Sequence, residues 1–290
     1  MFTGKHAESQ SSWTAFGTKE SESALRSKAQ KNGNPIEAFK AIFQNDQLLW
    51  VALSYLLYAI ANVATTGVLI FLFKFILDNQ AAYSLTGVIA LVAGLVMAPL
   101  YPILNKRIPR RYLYIGGMIS MIAGYVMLGI FSDNIIMVFV ALVLFYVPGT
   151  LIQMTAILSL TDSIEYGQLK NGKRNEAVTL SVRPMLDKIG GAMSNGIVGF
   201  IAIAAGMTGD ATAADMTAAN INTFKTCAFY VPLALIVLSL LVFMFKVKIN
   251  EKMHAEIVEQ LEAKLAAGEI PDEEVKTVET VEASTRRPRF

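Results

Sequence analysis

The stretch DSIEYGQLKNGKRNEAVTLSVRPMLDKIGG, residues 162–191, lies between two long apolar segments and carries nine formal charges. Three of them, Arg183, Asp187 and Lys188, stand where the second apolar segment has already begun. A charged side chain inside a segment that crosses a membrane is costly, and it usually faces a polar cavity or a partner charge. The sequence on either side of this stretch shows whether the chain crosses a membrane at all.

The composition is that of an integral membrane protein. Of the 290 residues 54% are hydrophobic and 17% are charged, and the mean hydropathy is +0.47. A soluble domain carries about a quarter charged residues. The net charge of +2 gives no basic field that would favour nucleic acid as a partner. The single cysteine, Cys227, excludes an internal disulfide framework.

Six segments are apolar and long enough to cross a bilayer as helices. They cover roughly residues 48–77, 83–104, 112–131, 135–160, 177–205 and 224–245. We therefore predict an all-α integral membrane fold whose six transmembrane helices form one bundle within residues 41–248.

The basic residues between these segments predict the topology. Residues 105–111 contain four Lys or Arg and residues 170–174 contain three. The connections 78–84, 132–134 and 208–223 contain none. Because short cytoplasmic loops are enriched in Lys and Arg, we expect both termini and both basic connections on the cytoplasmic side of the cell membrane.

Polar segments flank the predicted bundle. Residues 1–40 are charged and Ser-rich without an apolar signal-peptide core, and we expect a cytoplasmic segment there. A cytoplasmic amphipathic helix is predicted over residues 249–268, where apolar residues recur at every fourth position: Met253, Ile257, Leu261 and Leu265. Residues 269–290 are predicted to be disordered.

The charges of the fifth segment are candidates for a functional site. Arg183 and Asp187 are four residues apart, so they share a helix face and can pair. If the helix begins near residue 177, Lys188 lies about 16 Å along it, where an ammonium costs about 2.5–3.5 kcal/mol. Two interpretations are open: Lys188 extends back to the membrane surface, or it faces a polar cavity and a counter-ion.

Other polar residues of the segments are candidate sugar contacts, because sugars are bound by hydrogen bonds and apolar ring faces. The wider set is Tyr55, Tyr58, Asn62, Thr65, Thr66, Gln153 and Asn195, of which Tyr58, Asn62 and Gln153 are the preferred candidates. Each could equally be a helix–helix contact. In the fourth segment Pro148-Gly149 predicts a kink or an opening of the helix, which serves either packing or a substrate cavity.

The connection after the fourth segment places acids before bases. Asp162 and Glu165 come first, and Lys170, Lys173 and Arg174 follow. These residues are either solvated topology determinants in a loop or a cytoplasmic gating loop whose ion pairs form in one state and break in another.

The sequence contains no signature of a membrane enzyme. HExxH and GxSxG are absent and no histidine lies in a predicted span, and the corresponding hydrolases need those side chains. We therefore predict that the chain is not an enzyme and needs no metal or organic cofactor. Hydrolysis that depends on Asp187 would be the remaining enzymatic alternative.

The string TDSIEYGQLKNGKRNEAVTLSVRPMLDKIGGAMSNGIVG, residues 161–199, resembles the signature of the glycoside–pentoside–hexuronide:cation symporters. That pattern is Ala/Thr-Asp-x-x-Asp/Glu-Tyr-Gly, a basic loop and then Lys-x-Gly. The matching residues are Asp162, Glu165, Tyr166, Gly167, Lys173, Arg174, Glu176, Lys188 and Gly190. IFQNDQLLW, residues 42–50, also looks like the start of the family's seventh helix. The resemblance is to the lactose and raffinose permease branch and covers about residues 35–265.

The resemblance implies that this chain is the C-terminal bundle of a major facilitator fold, corresponding to helices seven to twelve. Residues 1–40 would then correspond to the central cytoplasmic loop. Lys188 would face the central cavity and couple cation to sugar, and Asp162, Glu165 and the basic residues would act in gating. Gln153 and Arg183-Pro184 depart from the melibiose-type members, so their sugar contacts are not carried over.

The expected function is secondary active transport of a galactoside-type sugar of the lactose, raffinose or melibiose class. Alternating access would couple it to H⁺ or Na⁺, with this chain supplying the C-terminal half. The alternative is a truncated or split half that does not transport alone. The expected partners are the sugar, the cation, the lipid bilayer and an N-terminal six-helix half that is encoded separately or lost, with no nucleic acid.

Overall fold

The structure, a computed structural model, describes residues 43–172 and 176–267. Its helices are α1 (Asp46–Phe71), α2 (Ser84–Asn105), α3 (Arg110–Ile130), α4 (Ile135–Asn171), α5 (Glu176–Ala204), α6 (Ala218–Lys225), α7 (Val231–Lys246) and α8 (Glu251–Ala266). A π-helical turn, Leu72–Ile76, extends α1, and a second, Thr226–Tyr230, joins α6 to α7. Short 3₁₀ helices cover Gln80–Tyr83 and Ala213–Asp215. The predictions for residues 1–40 and 269–290 lie outside the described residues.

Within those ranges, five helical segments are long and apolar enough to cross a membrane: Asp46–Ile76, Gln80–Asn105, Arg110–Ile130, Ile135–Asn171 and Ala218–Lys246. They correspond to five of the six predicted segments. The sixth is α5, which has the length of a span, 29 residues. Its first half carries Glu176, Arg183, Asp187 and Lys188, and these charges explain why its composition differs from that of the other five.

The prediction that α4 ends near residue 160 was wrong. The helix continues to Asn171, so Asp162, Glu165 and Lys170 lie on its last three turns and not in a loop. Asn45 stabilises this extension, because its Nδ2 donates to Ser163 O at 2.7 Å. Gly172 then ends the helix in the left-handed conformation (φ 68°), which favours glycine. Lys173 and Arg174 lie outside the described residues.

Helix α1 lies at the centre of the bundle and contacts α4, α5 and α7, whereas α3 packs on α4 and α7, and α2 packs on α4. Hydrogen bonds join three of these helices. Ser54 Oγ of α1 is 2.9 Å from Tyr114 OH of α3 and 3.0 Å from Ser239 Oγ of α7. All three residues are buried. In an apolar bundle such pairs satisfy polar groups that lipid cannot, and they fix how the helices cross.

Helix α4 remains helical through Pro148-Gly149 and does not open there. Proline lacks the N–H that would bond to the carbonyl four residues earlier, which here is that of Leu144. Ser120 Oγ of α3 donates to Leu144 O at 3.5 Å. The proline therefore replaces one helical hydrogen bond with a weaker contact to a neighbouring helix.

Candidate functional site

A group of polar side chains lies where α1, α4 and α5 meet, and we call it the polar cluster: Tyr55, Tyr58, Gln153, Arg183 and Asp187. Tyr55 OH of α1 donates to Asp187 Oδ1 of α5 at 2.6 Å. Arg183 Nε lies 4.0 Å from Asp187 Oδ2. That distance permits charge attraction but is too long for a hydrogen bond. Asp187 is therefore held by a tyrosine of α1 on one side and by an arginine of its own helix on the other.

The second half of the polar cluster connects α1 with α4. Tyr58 OH donates to Gly149 O at 3.3 Å, and Gln153 Nε2 donates to Tyr58 OH at 3.4 Å. Tyr58 is only 1% exposed, whereas Gln153 is half-buried. Tyr58 is thus placed to orient Gln153, and Gln153 presents the accessible polar group.

Lys188 and Asn62 lie beside the polar cluster. Lys188 follows Asp187 in α5, is exposed, and makes no ion pair or hydrogen bond with any residue of 43–172 or 176–267. Asn62 lies one turn after Tyr58 on α1 and is half-buried. Because the charge of Arg183 offsets that of Asp187, Lys188 leaves this part of α5 with one uncompensated positive charge.

Helices α1 and α5 approach closely next to this charge. A Cβ on Gly190 would lie 3.2 Å from Ala59 Cβ and 3.5 Å from the Ala59 carbonyl carbon. Gly191, the next residue, has nothing within 4 Å of the corresponding position. The Lys-x-Gly pattern therefore places the glycine against α1 and the lysine outside this contact.

A second group of charges lies at the other candidate region, where α1, α3 and α8 begin and α4 ends; we call it the charged end. Arg110 Nη2 of α3 lies 2.7 Å from Asp162 Oδ2 of α4, and both side chains are largely buried. Arg110 Nε also lies 3.3 Å from Glu251 Oε1 of α8. Arg110 therefore joins α3, α4 and α8.

Histidine and carboxylate groups complete this contact. His254 Nε2 of α8 lies 3.8 Å from Asp162 Oδ1 and 3.7 Å from Glu165 Oε2. Burial raises the pKa of Glu251, but the backbone N–H groups of Arg110 and Glu251 and the charge of Arg110 outweigh it, so the pKa is lowered. The carboxylate of Glu251 stays ionised and holds the start of α8 on α3.

Lys170, the third described residue of the predicted gate, has a separate partner. Its ammonium pairs with Asp46 Oδ1 at the start of α1, and both side chains are about half exposed. Tyr166 OH donates to the same oxygen at 2.9 Å. The end of α4 is thus attached to α1 by an exposed pair and to α3 by a buried one.

The structure brings together Tyr58, Gln153, Arg183 and Asp187 of the predicted sugar and coupling residues, and Asp162 and Glu165 of the predicted gate. Sequence reasoning gave Arg110 only a topological role and did not connect Glu251, His254 or Asp46 with the acids of α4. It named Tyr55 only in the wider set. The signal that was available is that Tyr55 lies three residues before Tyr58, since residues three apart share a helix face.

In the described part of the chain, no group of three or more His, Cys, Asp or Glu side chains could hold a metal ion. The arrangement offers instead hydrogen-bond donors and acceptors beside an uncompensated cation. Such a site suits the binding of a neutral polyhydroxylated ligand and a mobile ion more than it suits bond cleavage.

Comparison with known proteins agrees with this chemistry. Residues 12–251 match the family described as MFS/sugar transport protein. The chain belongs to this family. Membership confirms the resemblance seen in residues 161–199. It also confirms the predicted six-helix bundle of a major facilitator fold. Because the family consists of sugar transport proteins, it agrees with the prediction that the chain is not an enzyme.

Relatives within the sugar transport family are considerably longer than this chain. It is 50% identical to a lactose permease of Leuconostoc lactis over 283 residues, which cover 92% of the chain and 44% of the permease. It is 47% identical to a lactose permease of Lactobacillus helveticus, covering 92% and 44%. It is 38% identical to a raffinose carrier protein of Pediococcus pentosaceus, covering 87% and 40%. The chain therefore spans less than half the length of these relatives.

Proposed function

We propose that this chain forms the C-terminal half of a cation-coupled transporter for galactoside-type sugars. The observation that carries the proposal is the polar cluster on three membrane helices, with Lys188 beside it and without a partner among residues 43–172 and 176–267. Identity of 50% and 47% to two lactose permeases and of 38% to a raffinose carrier supports a sugar of the lactose or raffinose class, and a sugar of the melibiose class stays a prediction from the resemblance of residues 161–199. The coupling cation is H⁺ or Na⁺.

In this proposal the half-buried Gln153 and Asn62 offer amide groups to sugar hydroxyls. Tyr58 orients Gln153, and the Tyr55–Asp187 hydrogen bond fixes α5 relative to α1. Lys188 requires a counter-charge when water is excluded from the cavity. An acid in an N-terminal six-helix half would supply that charge in one state and release it in the other, which is the behaviour that alternating access requires.

Gating is proposed to act at the charged end. Both termini and the basic connections would face the cytoplasm under the positive-inside rule, and Asp162, Glu165 and Lys170 would lie at the cytoplasmic mouth of the cavity. The buried contact of Asp162 with Arg110 would keep α4, α3 and α8 together, while the exposed Lys170–Asp46 pair could open and close between states.

The proposal is tested by co-expressing this chain with the N-terminal half of the Leuconostoc lactis lactose permease in cells that lack lactose uptake. Accumulation of radiolabelled lactose or raffinose is then measured under an H⁺ or Na⁺ gradient. We expect Lys188→Ala to abolish accumulation and Lys264→Ala, an exposed residue of α8, to leave it unchanged. Undiminished accumulation by the Lys188 variant would refute the role of that residue.

A further inference from the structure

A cavity of about 470 Å³ lies at the charged end, between the α2–α3 connection and the start of α8. Four basic residues line it: Lys106, Arg107, Arg111 and Lys252. Sites for small molecules have volumes of about 300–1,000 Å³. We propose that this cavity, which we call the basic cavity, binds the headgroup of one anionic phospholipid, with a phosphate and free hydroxyls as in phosphatidylglycerol.

The charge of the basic cavity favours an anion. Lys106, Arg107 and Lys252 are exposed, and none of them makes an ion pair with a residue that the structure describes. Arg111 donates to the carbonyls of Val247 at 3.2 Å and Met244 at 2.6 Å, bonds that leave its charge uncompensated. Positive surfaces of this density beside a membrane attract anionic lipid.

Glu251 is the acid that lines the basic cavity. It shares the one positive charge of Arg110 with Asp162, so it offsets at most one of the four cations. Its Oε1 accepts from the backbone N–H of Arg110 at 2.6 Å and lies 3.3 Å from Arg110 Nε. Helices α3 and α8 begin at this cavity and α2 ends there at Asn105, so one negative helix end offsets one of the two positive ends, and the four cations supply most of the positive charge.

Tyr112 lines the basic cavity, and two exposed isoleucines, Ile103 and Ile108, flank its lining residues in sequence. The α2–α3 connection joins two helices that each cross the membrane, so it lies at one membrane surface. Ile103, Ile108 and Tyr112 are 57%, 39% and 65% exposed, and tyrosine is enriched at the boundary between lipid and water. Acyl chains can lie against these three side chains while the phosphate enters the cavity, which a free inorganic anion does not require.

One polar atom indicates a hydroxylated headgroup. Asn105 lines the basic cavity, and its Oδ1 is buried without a hydrogen-bond partner among the described residues. A buried acceptor without a donor costs about 1–3 kcal/mol. Rotation of the half-buried Asn105 side chain would turn Oδ1 towards the cavity, where a glycerol hydroxyl of the headgroup can donate to it, whereas a choline headgroup has no donor.

The experiment titrates the purified 290-residue chain with phosphatidylglycerol or with phosphatidylcholine of the same acyl chains. Bound lipid is counted by native mass spectrometry. The site is removed in the triple variant Lys106→Ala/Arg107→Ala/Lys252→Ala. A control of equal charge loss is Lys74→Ala/Lys248→Ala/Lys264→Ala, whose residues do not line the cavity, and a charge-conserving variant is Lys106→Arg/Arg107→Lys/Lys252→Arg.

We expect one tightly bound phosphatidylglycerol and at least tenfold weaker binding of phosphatidylcholine. Each basic side chain near a membrane surface contributes about fivefold, so loss of three weakens binding about a hundredfold. The control and the charge-conserving variant should bind as the unsubstituted chain does. Equal binding of the two lipids, or equal binding by the triple variant, would overturn the proposal. Displacement of the lipid by millimolar inorganic phosphate would overturn the assignment to lipid.

Discussion

Loss of either partner of the buried ion pair between Arg110 and Asp162 is expected to destabilise the bundle strongly, and the coupling between the two residues can be measured with substitutions of similar size. Asp162→Asn removes the carboxylate charge and leaves the guanidinium of Arg110 largely buried. Arg110→Met removes the cation and leaves Asp162 with His254 at 3.8 Å. Breaking a buried pair by removing one partner costs about 3–5 kcal/mol, because the other charge stays buried.

The two costs should differ in a way that the geometry predicts. Arg110 keeps Glu251 as a partner at 3.3 Å after Asp162→Asn, so the free energy of unfolding should fall by only about 3 kcal/mol. Arg110→Met also releases Glu251 and should cost about 4 kcal/mol. The double variant lacks both charges of the pair, so neither stays buried without the other. Its cost should therefore be smaller than the sum of the two single costs, by a coupling free energy of about 2 kcal/mol.

Unfolding in sodium dodecyl sulfate, followed by circular dichroism, provides the free energies for this double-mutant cycle. The matched control is the exposed pair of Lys170 and Asp46 at the same end of the bundle, with variants Lys170→Met and Asp46→Asn. Exposed pairs contribute about 0–1 kcal/mol. A coupling for Arg110 and Asp162 no larger than that of the control pair would show that burial does not strengthen the contact.

Three further perturbations test other parts of the structure. Gly190→Leu should destabilise the fold by about 1–3 kcal/mol, because a Cβ there meets Ala59 at 3.2 Å, whereas Gly191→Leu has open space; equal melting temperatures of the two variants would contradict this contact. Tyr55→Phe removes the 2.6 Å hydrogen bond to Asp187, a charge-assisted bond of about 1.5–3 kcal/mol, and should lower sugar uptake about tenfold at unchanged protein level; wild-type uptake would exclude a role for the bond. The lowered pKa of Glu251 means that its stabilisation is present above the unfolded pKa of about 4.3 and is lost as the pH falls through the folded pKa. Protection factors of the α8 amides, which are exchange rates corrected for the intrinsic pH dependence of exchange, should therefore be constant from pH 7 to 5 and fall below about pH 4, and an equal fall in Glu251→Gln would contradict this assignment.

Hydropathy predicted the spans well because each needs about 20 apolar residues, a signal that no tertiary contact has to supply. The end of α4 was missed for the opposite reason. Residues 161–171 are polar and read as a loop, yet they stay helical because Asn45, Asp46 and Arg110 of other helices bind Ser163, Lys170 and Asp162. Those partners are more than 50 residues away in sequence, where local patterns carry no information.

In the candidate site, too, contacts within one helix were predictable from the sequence and contacts between helices were not. The i, i+4 spacing of Arg183 and Asp187 placed them on one face, as the 4.0 Å contact shows. The tyrosine that holds Asp187 comes from α1, 132 residues earlier, and only the packing of α1 on α5 selects Tyr55 over the other polar residues of its helix. The inaccessibility of Tyr58 likewise follows from its neighbours and not from its residue type.

The charges of α5 also bear on how the chain is inserted into the membrane during synthesis. Each charged residue near the centre of a helix opposes insertion by about 2.5–3.5 kcal/mol, so α5, with Arg183, Asp187 and Lys188, is a poor substrate for insertion by itself. Helix α1 is made first, and it presents the Tyr55 hydroxyl to Asp187 and a close-fitting surface at Ala59 to Gly190. We expect α5 to remain in the insertion machinery until it packs on α1 and then to enter the bilayer together with it. The order of synthesis is therefore part of how this bundle assembles.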